Sequence, residues 1–479
     1  MQVKKLIKYI RQINLNPYYK AFMLWRLKHL TEYQFVLILS LLVGLFSGLA
    51  SVILKNTVHF TYEIISGFSW FSPDRGNILF LIYPTIGIIL TVMLVKYFIK
   101  DDLSHGVSKV MYSISRKNGK LKFHHCWSSV ITSSITVAFG GSVGLEAPIV
   151  LTCSAIGSNI SRFFRISRKN AITLLACGAA GAIAGVFKAP IAGVLFVFEV
   201  LMIDLTMSVA TPLLLSALTS ALLSSFFFGQ GAQVYCKVDT LFVLSKIPAF
   251  VLLGIISAFM ALYFLRINRW VSSKFSKYKR STKIILGGSI LGLLVYIFPP
   301  LFGEGYSALT SLLNNDVDVM FENSFFHPYV DNELTFLMVL VAIVFFKAIA
   351  TAVTCSSGGV GGTFAPSLFL GGFVGFFVAR IVNLSGLIYV AESNFALVGM
   401  AAVMAGVMHS PLTATFLIAE ITGGYALFTP LLIATTIAYL VVKPLTKYSI
   451  YAAPLAAKGD LTTHNKDKNA LNYIDINKL

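Results

Sequence analysis

Charged side chains are scarce in this sequence. Only 12% of its 479 residues are Asp, Glu, Lys or Arg, whereas 56% are hydrophobic. A soluble domain carries about 25% charged residues, so a shortage over this length excludes a water-soluble enzyme, a disordered chain and a nucleic-acid-binding module. The mean hydropathy of +0.79 indicates an integral membrane protein.

The few basic residues are absent from long stretches of the chain. No Lys or Arg lies in residues 189–236 or 284–346, and the net charge of +18 comes largely from clusters at 4–11, 116–122, 162–169 and 266–283. Clusters of basic residues between long uncharged stretches are typical of polytopic membrane proteins, whose cytoplasmic loops are basic. We expect a multi-pass protein of the inner or plasma membrane, with both termini cytoplasmic.

Cysteine is also rare, and common sequence motifs of enzyme active sites are missing from the interrupted apolar segments. The five cysteines form no CxxC pair, which predicts neither a disulfide framework nor a zinc site. The interrupted apolar segments described below contain no HExxH, GxSxG or paired-carboxylate motif. The sequence therefore predicts no enzyme, no metal and no cofactor.

Apolar segments are long enough to cross a bilayer, which takes about 20 residues. Clear candidates for membrane-spanning helices lie at 35–54, 78–98, 210–228, 247–265, 284–301, 334–351 and 426–442. Four others are broken by Gly and Pro, at 139–160, 174–202, 357–382 and 395–421. Non-helical backbone inside the bilayer is tolerated only where other parts of the protein bury it or where it lines an aqueous cavity. We therefore look for function in the broken segments.

The remaining segments are polar. Residues 1–32 are basic, and Val3, Leu6, Ile10 and Ile13 follow helical spacing, which predicts an amphipathic cytoplasmic helix on the membrane surface. The acidic segment 302–333 is predicted to be an external loop. Residues 456–479 are predicted to be a polar cytoplasmic tail or linker.

The broken segments occur twice in the same order. Residues 141–148 can be laid on 359–366 with a shift of 218, and Pro190 and Glu199 match Pro411 and Glu420 with a shift of 221. This repeat predicts two homologous membrane halves, 33–230 and 231–455. Paired halves with broken helices point to a binding site at the membrane midplane, where the halves meet.

Glycines followed by a proline in the first turn of a helix are suited to form an anion-binding site. The first N–H groups of a helix lack partners and carry partial positive charge, and glycine lets a ligand approach them. Gly144 and Pro148 in one half match Gly362 and Pro366 in the other. Two alternatives are that the glycines serve only helix packing, or that Glu199 and Glu420 are ion ligands of a cation-coupled transporter.

Glu146 lies inside the first Gly/Pro break. Placing an ionised carboxylate inside the membrane costs free energy, so an acid at such a position is interpreted first as a functional residue. Next to an anion site it can occupy that site as a tethered competitor and leave when it is protonated. Phe364 stands at the equivalent place in the second half. We therefore interpret Glu146 as a combined gate and proton acceptor, and Glu199 and Glu420 as structural acids near helix ends.

Four segments in order resemble the motifs of the CLC chloride channels and chloride/proton exchangers. Residues 144–148 resemble the GxExP signature and residues 362–366 the GxFxP signature, after the Ser-Gly-Gly of 357–359. Residues 189–199, and 410–413 with Glu420, are similar to two further segments. The resemblance spans about residues 35 to 455. It implies an all-α, CLC-type fold of two inverted halves with re-entrant helices, forming a homodimer in which each protomer has its own chloride pathway.

The resemblance also implies the site residues. Glu146 is the gating glutamate, and the anion ligands are drawn from Gly144, Thr363, Phe364, Ala365 and a tyrosine near the C-terminus. That tyrosine is most similar to Tyr451, with Tyr448 as a rival. The first anion motif of the family would correspond to Ser104, His105 and Gly106, although here its proline and first glycine are missing.

Two further residues depart from the pattern of the family. Lys188 stands where the family often has Asn, and Val200 stands where exchangers have an inner proton-relay glutamate. Because valine carries no proton, Val200 favours an uncoupled channel. The sequence as a whole predicts glutamate-gated transport of chloride and similar small anions, by a channel or a chloride/proton exchanger. The cation-coupled transporter that uses Glu199 and Glu420 is the alternative.

Overall fold

The computed structural model describes residues 17–66, 78–101, 103, 106–204, 206–229, 243–314, 316, 326, 332–386 and 388–461. In these ranges the chain forms eighteen α-helices and no strand. In chain order they are α1 (Pro17–His29), α2 (Glu32–Ser66), α3 (Ile78–Leu94), α4 (Gly106–Arg116), α5 (His125–Ala138), α6 (Glu146–Phe163), α7 (Arg168–Phe187), α8 (Pro190–Glu199), α9 (Met207–Phe228), α10 (Ile247–Ser276), α11 (Arg280–Ile297), α12 (Tyr306–Leu313), α13 (Glu333–Ser357), α14 (Phe364–Leu384), α15 (Glu392–Met408), α16 (Pro411–Ile421), α17 (Phe428–Leu445) and α18 (Ala453–Ala457). A π-helical turn, Val95–Ile99, continues α3.

Nine helices in the described ranges are long and apolar enough to cross a membrane. They are α2, α3, α7, α9, α10, α11, α13, α14 and α17, and α8, α15 and α16 are shorter apolar helices. The prediction of an all-α, polytopic membrane protein is therefore confirmed.

The helix packing of the first half recurs in the second. Contacts of α2 with α7 and α9, and of α7 with α9, return as contacts of α10 with α15 and α17, and of α15 with α17. Likewise α6 packs on α7 as α14 packs on α15. Helices α2–α9 thus correspond one by one to α10–α17. The predicted boundary at 230/231 lies outside the described residues.

The breaks between short and long helices are built alike in the two halves. Lys188 (φ 56°) and His409 (φ 57°) have left-handed backbone and end α7 and α15. Two residues later Pro190 and Pro411 begin α8 and α16. Proline lacks the N–H that a continuing helix would need, so each long apolar run is split into a long and a short helix.

Two glutamates tie the halves together by capping each other's helices. Glu199 accepts hydrogen bonds from the amides of Leu412 (3.1 Å) and Thr413 (2.7 Å) at the start of α16. Glu420 accepts from the amides of Ile191 (3.1 Å) and Ala192 (2.9 Å) at the start of α8. The interpretation of both acids as hydrogen-bonded residues near helix ends is confirmed.

Glycines outside the break motifs serve close helix packing. A Cβ at Gly157 would collide with the carbonyl of Leu174, and one at Gly375 would collide with that of Phe395. These two glycines are related by the same shift of 218 residues. They let α6 approach α7, and α14 approach α15, closely enough for backbone contact.

Some predicted features lie outside the described residues, and one is corrected. Residues 1–16 of the N-terminal segment and 462–479 of the tail are not described; the rest of the N-terminal segment contains α1. The prediction of an external loop over 302–333 is wrong for the first residues of this range, which lead into helix α12. There, Glu304 and Tyr306 are only partly exposed and Gly303 and Gly305 adopt positive φ (59° and 90°), which turns the chain into α12.

Candidate functional site

The two Gly/Pro segments meet through their backbones. Gly144 N–H donates to the carbonyl of Gly362 (2.8 Å), and Gly362 N–H donates to the carbonyl of Gly144 (2.7 Å), as an isolated antiparallel bridge. Helix α6 begins two residues after Gly144, and α14 two residues after Gly362. The bridge therefore brings the N-termini of two helices, one from each half, to one place.

Glu146 is buried at this junction, with only 1% of its surface exposed. Its Oε2 atom accepts a hydrogen bond from the amide of Ala365 (3.4 Å) in the first turn of α14. A Cβ at Gly144 would collide with this same oxygen, so glycine is required there to make room. A carboxylate from the first half thus occupies the electropositive start of a helix in the second half.

The other oxygen of Glu146 is bound by Tyr306. The Tyr306 hydroxyl donates to Oε1 over 2.9 Å. The neighbouring acid, Glu304, accepts the amide of Leu145 (3.0 Å), the residue just before α6. One carboxylate therefore lies at the start of α6 and the other at the start of α14.

Lys347 fixes the segment that carries Glu304 and Tyr306. This lysine is fully buried in α13 and donates to the carbonyls of Gly303 (3.1 Å) and Leu301 (3.4 Å). A lysine inside the apolar segment 334–351 is rare in a membrane helix, so the sequence carried a usable signal for this residue that was missed above. Nothing in the sequence pattern pointed to Tyr306.

Two lysines lie near the acids of the junction. Lys55 donates to the carbonyl of Val186 (2.7 Å) and is within electrostatic reach of Glu304 and Glu146. Lys347 is within electrostatic reach of Glu304. The amides lie at the junction itself, and the two ammonium groups lie farther out.

A second group of donors lies beside Thr363, the residue that precedes α14. The Tyr451 side chain is buried beside Thr363 and is within electrostatic reach of Glu146. Within the described ranges, the hydroxyls of Tyr451 and Thr363 lack a well-formed hydrogen bond. Ser108 in α4 donates to the Tyr451 carbonyl (2.8 Å) and so anchors this segment. Two buried hydroxyls beside a helix N-terminus are suited to donate to an anion.

The remaining predicted residues are distributed as follows. The ring of Phe364 is buried and stacks on that of Phe187, with centroids 5.4 Å apart. Gly106 packs its α-carbon against the carbonyl of Ala147, where a Cβ would clash. Tyr448 is half-buried, under the ammonium group of Lys447. Ser104 and His105 lie outside the described residues.

Val200 and Lys188, the two residues that depart from the pattern of the family, lie in different environments. Val200 is buried directly after α8. Lys188 donates to the carbonyl of Gly229 (2.7 Å) at the end of α9. Its ammonium group is thus used in a contact between α7 and α9.

This architecture defines a class of proteins with an ion pathway through the membrane. The fold is helical, two helix N-termini from the repeated halves meet, and a buried carboxylate lies where they meet. The model of the voltage gated chloride channel family matches residues 86–443. The chain belongs to this family, the CLC channels and transporters, which is a family of membrane transport proteins and not a class of enzymes.

Curated relatives agree with this assignment. The chain is 31% identical over 392 residues to a putative chloride channel protein, ClcB-like, of Ralstonia nicotianae, a match that covers 80% of this chain and 86% of that protein. It is 28% identical to the voltage-gated ClC-type chloride channel ClcB of Escherichia coli, covering 67% and 73%. It is also 28% identical to chloride channel protein CLC-e of Arabidopsis thaliana, covering 82% of this chain and 57% of that protein.

Solved structures show the same fold. A slow cyanobacterial Cl⁻/H⁺ antiporter superposes with a TM-score of 0.76 at 23% identity, covering 88% of this chain and 97% of that one. A CLC-type fluoride/proton antiporter superposes with a TM-score of 0.69 at 22% identity, covering 87% and 96%. The predicted CLC-type fold is confirmed.

Proposed function

We propose that this chain transports chloride and similar small anions across a membrane, through a pathway gated by Glu146. The observation that carries the proposal is the bond from the Ala365 amide to the Glu146 carboxylate. An anionic group already occupies the place that a transported anion would take. The partial positive charge of these N–H groups disfavours a cation at this helix start.

Transport then follows from competition between the tethered carboxylate and a free anion. When Glu146 is protonated or swings aside, the Ala365 amide is released, and the amides of Thr363, Phe364 and Ala365 at the start of α14 are the proposed anion ligands. The hydroxyls of Thr363 and Tyr451 are the additional donors in our proposal. Partial charges hold an anion weakly enough for it to leave again, as conduction requires.

Val200 supports an uncoupled pathway over strict exchange. Proton coupling needs a group that carries protons between Glu146 and the other side of the membrane, and a buried valine cannot do so. We infer that anion movement proceeds without obligatory proton movement in the opposite direction. The sequence features that favour a chloride pathway over a fluoride pathway are Pro148, Phe364 and the C-terminal tyrosine.

The assembly and location are part of the same proposal. We propose a homodimer in the plasma membrane, with the basic clusters at 116–122 and 162–169 and both termini on the cytoplasmic side. The distribution of basic residues along the chain supports this orientation. Each protomer carries the whole set of proposed gate and anion ligands, so each would transport independently.

The cation-coupled alternative finds no support in the geometry of its two acids. Glu199 and Glu420 accept backbone amides at helix starts, which leaves them poorly placed to bind a cation. The test is the reversal potential of the reconstituted protein under separate chloride, sodium and pH gradients. We expect it to follow the chloride gradient and to ignore sodium and pH. A potential that follows sodium would overturn the proposed function, and one that follows both chloride and pH would replace the channel with an exchanger.

A further inference from the structure

A separate cluster of metal-ligating side chains lies between the end of α3 and the start of α5. Asp101 follows the π-helical turn of α3, directly after Lys100, whose φ of 54° redirects the chain. His124 precedes α5 and His125 is its first residue. The possible ligand atoms of these three residues all lie within 4.8 Å of one another.

The distances within the cluster suit a shared metal ion. Asp101 Oδ2 lies 3.2 Å from His124 Nε2 and 3.4 Å from His125 Nε2. Zinc binds nitrogen and oxygen ligands at about 2.0–2.2 Å in a tetrahedron, which puts neighbouring ligand atoms about 3.3–3.5 Å apart. The three side chains therefore already approximate two edges of such a tetrahedron.

The imidazole of His124 is available as a ligand. Within the described ranges, His124 Nε2 lies 3.2 Å from Asp101 Oδ2 but makes no hydrogen bond of good geometry, so its lone pair is not committed to another partner. His124 Nδ1 lies 3.2 Å from the hydroxyl of Ser128, a contact that can hold the proton on Nδ1 and leave the Nε2 lone pair facing Asp101. Metal-bound histidines commonly have such a partner on their second nitrogen.

Two lysines also contact Asp101, but only one of them contacts the oxygen that a metal ion would bind. Lys109 contacts Oδ1 (3.2 Å), the oxygen that faces away from the histidines, and can remain there while the metal binds. Lys122 contacts Oδ2 (3.0 Å), the oxygen that a metal would share. Because the Lys122 side chain is 64% exposed, it can move into solvent at low cost.

We propose that Asp101, His124 and His125 form a binding site for a divalent transition-metal ion of the zinc type, which links the end of α3 to the start of α5. Two imidazoles and one carboxylate match the ligand preferences of Zn²⁺, Co²⁺ and Ni²⁺ and not those of Mg²⁺ or Ca²⁺, which prefer oxygen. The cluster contains no cysteine, so the cysteine pattern of the sequence could not reveal it.

The test uses the full chain without an affinity tag, in detergent and in metal-free buffer. Co²⁺ is followed by its visible absorption and Zn²⁺ by calorimetric titration. We expect one ion per chain, and loss of this binding in Asp101→Asn and His124→Gln. Ser128→Ala, which removes only the partner of Nδ1, should weaken the affinity about tenfold.

Two further variants separate metal binding from a simple ion-pair cluster. Lys122→Gln removes the competing ammonium group, so the affinity should rise. His409→Gln is the matched control, because His409 is also mostly buried and lies near a hydroxyl (Thr446, 3.1 Å) and a lysine (Lys443, 3.3 Å). It should leave the titration unchanged. Absence of a bound ion in the wild-type chain, or equal affinity in Asp101→Asn and wild type, would overturn the proposal.

Discussion

The hydroxyl of Tyr306 donates to Oε1 of Glu146 over 2.9 Å, while the amide of Ala365 donates to Oε2 of the same carboxylate. Glu146 belongs to the first half of the chain, and both donors belong to the second. The proposed gate is therefore held in place by the opposite half, and its position depends on how the halves fit together.

Removing the tyrosine hydroxyl should loosen the gate. In Tyr306→Phe the carboxylate loses one hydrogen bond, and a bond to a charged group contributes about 1.5–3 kcal/mol. We expect the ratio of open to closed gates to rise about tenfold or more, and chloride efflux from liposomes at neutral pH to increase accordingly. The control is Tyr296→Phe on the exposed side of α11. Efflux equal to that of wild type would show that Tyr306 does not hold the gate.

A methyl group at Gly144 should displace the carboxylate. The added Cβ would collide with Oε2 of Glu146 and come within 2.9 Å of the Ala365 Cβ. We expect Gly144→Ala to retain chloride flux but to lose most of its activation by acid, since the gate can no longer seat. Gly424→Ala is the matched control, because a Cβ there would meet no atom within 4 Å. Undiminished acid activation in Gly144→Ala would contradict the assigned position of the gate.

The repeated halves and the broken helices could be predicted because their signals are local in the sequence. Pro190 and Pro411 each begin a short helix, and the shift of 218 residues that relates the two Gly/Pro segments already pairs Gly144 with Gly362, which the structure joins by two hydrogen bonds.

Tyr306, by contrast, could not be predicted to bind Glu146. The two residues are 160 positions apart. Tyr306 belongs to a polar segment that reads as a loop, and no periodic pattern distinguishes it from other loop tyrosines. Only the packing of α12 against α14, together with the Lys347 bonds to the preceding turn, brings it to the site.

The two candidate tyrosines should differ in their effect on anion binding. Tyr451 is buried beside Thr363, whereas Tyr448 is half-buried under Lys447. We expect Tyr451→Phe to lower chloride affinity in calorimetric titration, because it removes one donor hydroxyl, and Tyr448→Phe to have little effect. The reverse ranking would move the anion ligand by three residues.

The reciprocal glutamate caps should stabilise the fold and leave ion selectivity unchanged. In Glu199→Gln or Glu420→Gln one carboxylate oxygen becomes an NH₂ group, which cannot accept from a backbone N–H. At least one hydrogen bond to a charged group, which contributes about 1.5–3 kcal/mol, is therefore lost at a helix start. Thermal unfolding in detergent should show a lowered midpoint of similar size for both variants, with chloride-selective flux retained. Sodium-dependent flux in wild type that disappears in these variants would instead favour the cation-coupled alternative.

The most direct test of the gate is chloride efflux from liposomes as a function of pH, in wild type and in Glu146→Gln. Glutamine imitates the protonated carboxylate, so we expect the variant to conduct chloride at every pH, whereas wild-type efflux should rise as the pH falls. Glu63→Gln on α2, whose side chain is 62% exposed, is the control and should behave like wild type. Steep acid activation that persists in Glu146→Gln would show that another group is the gate.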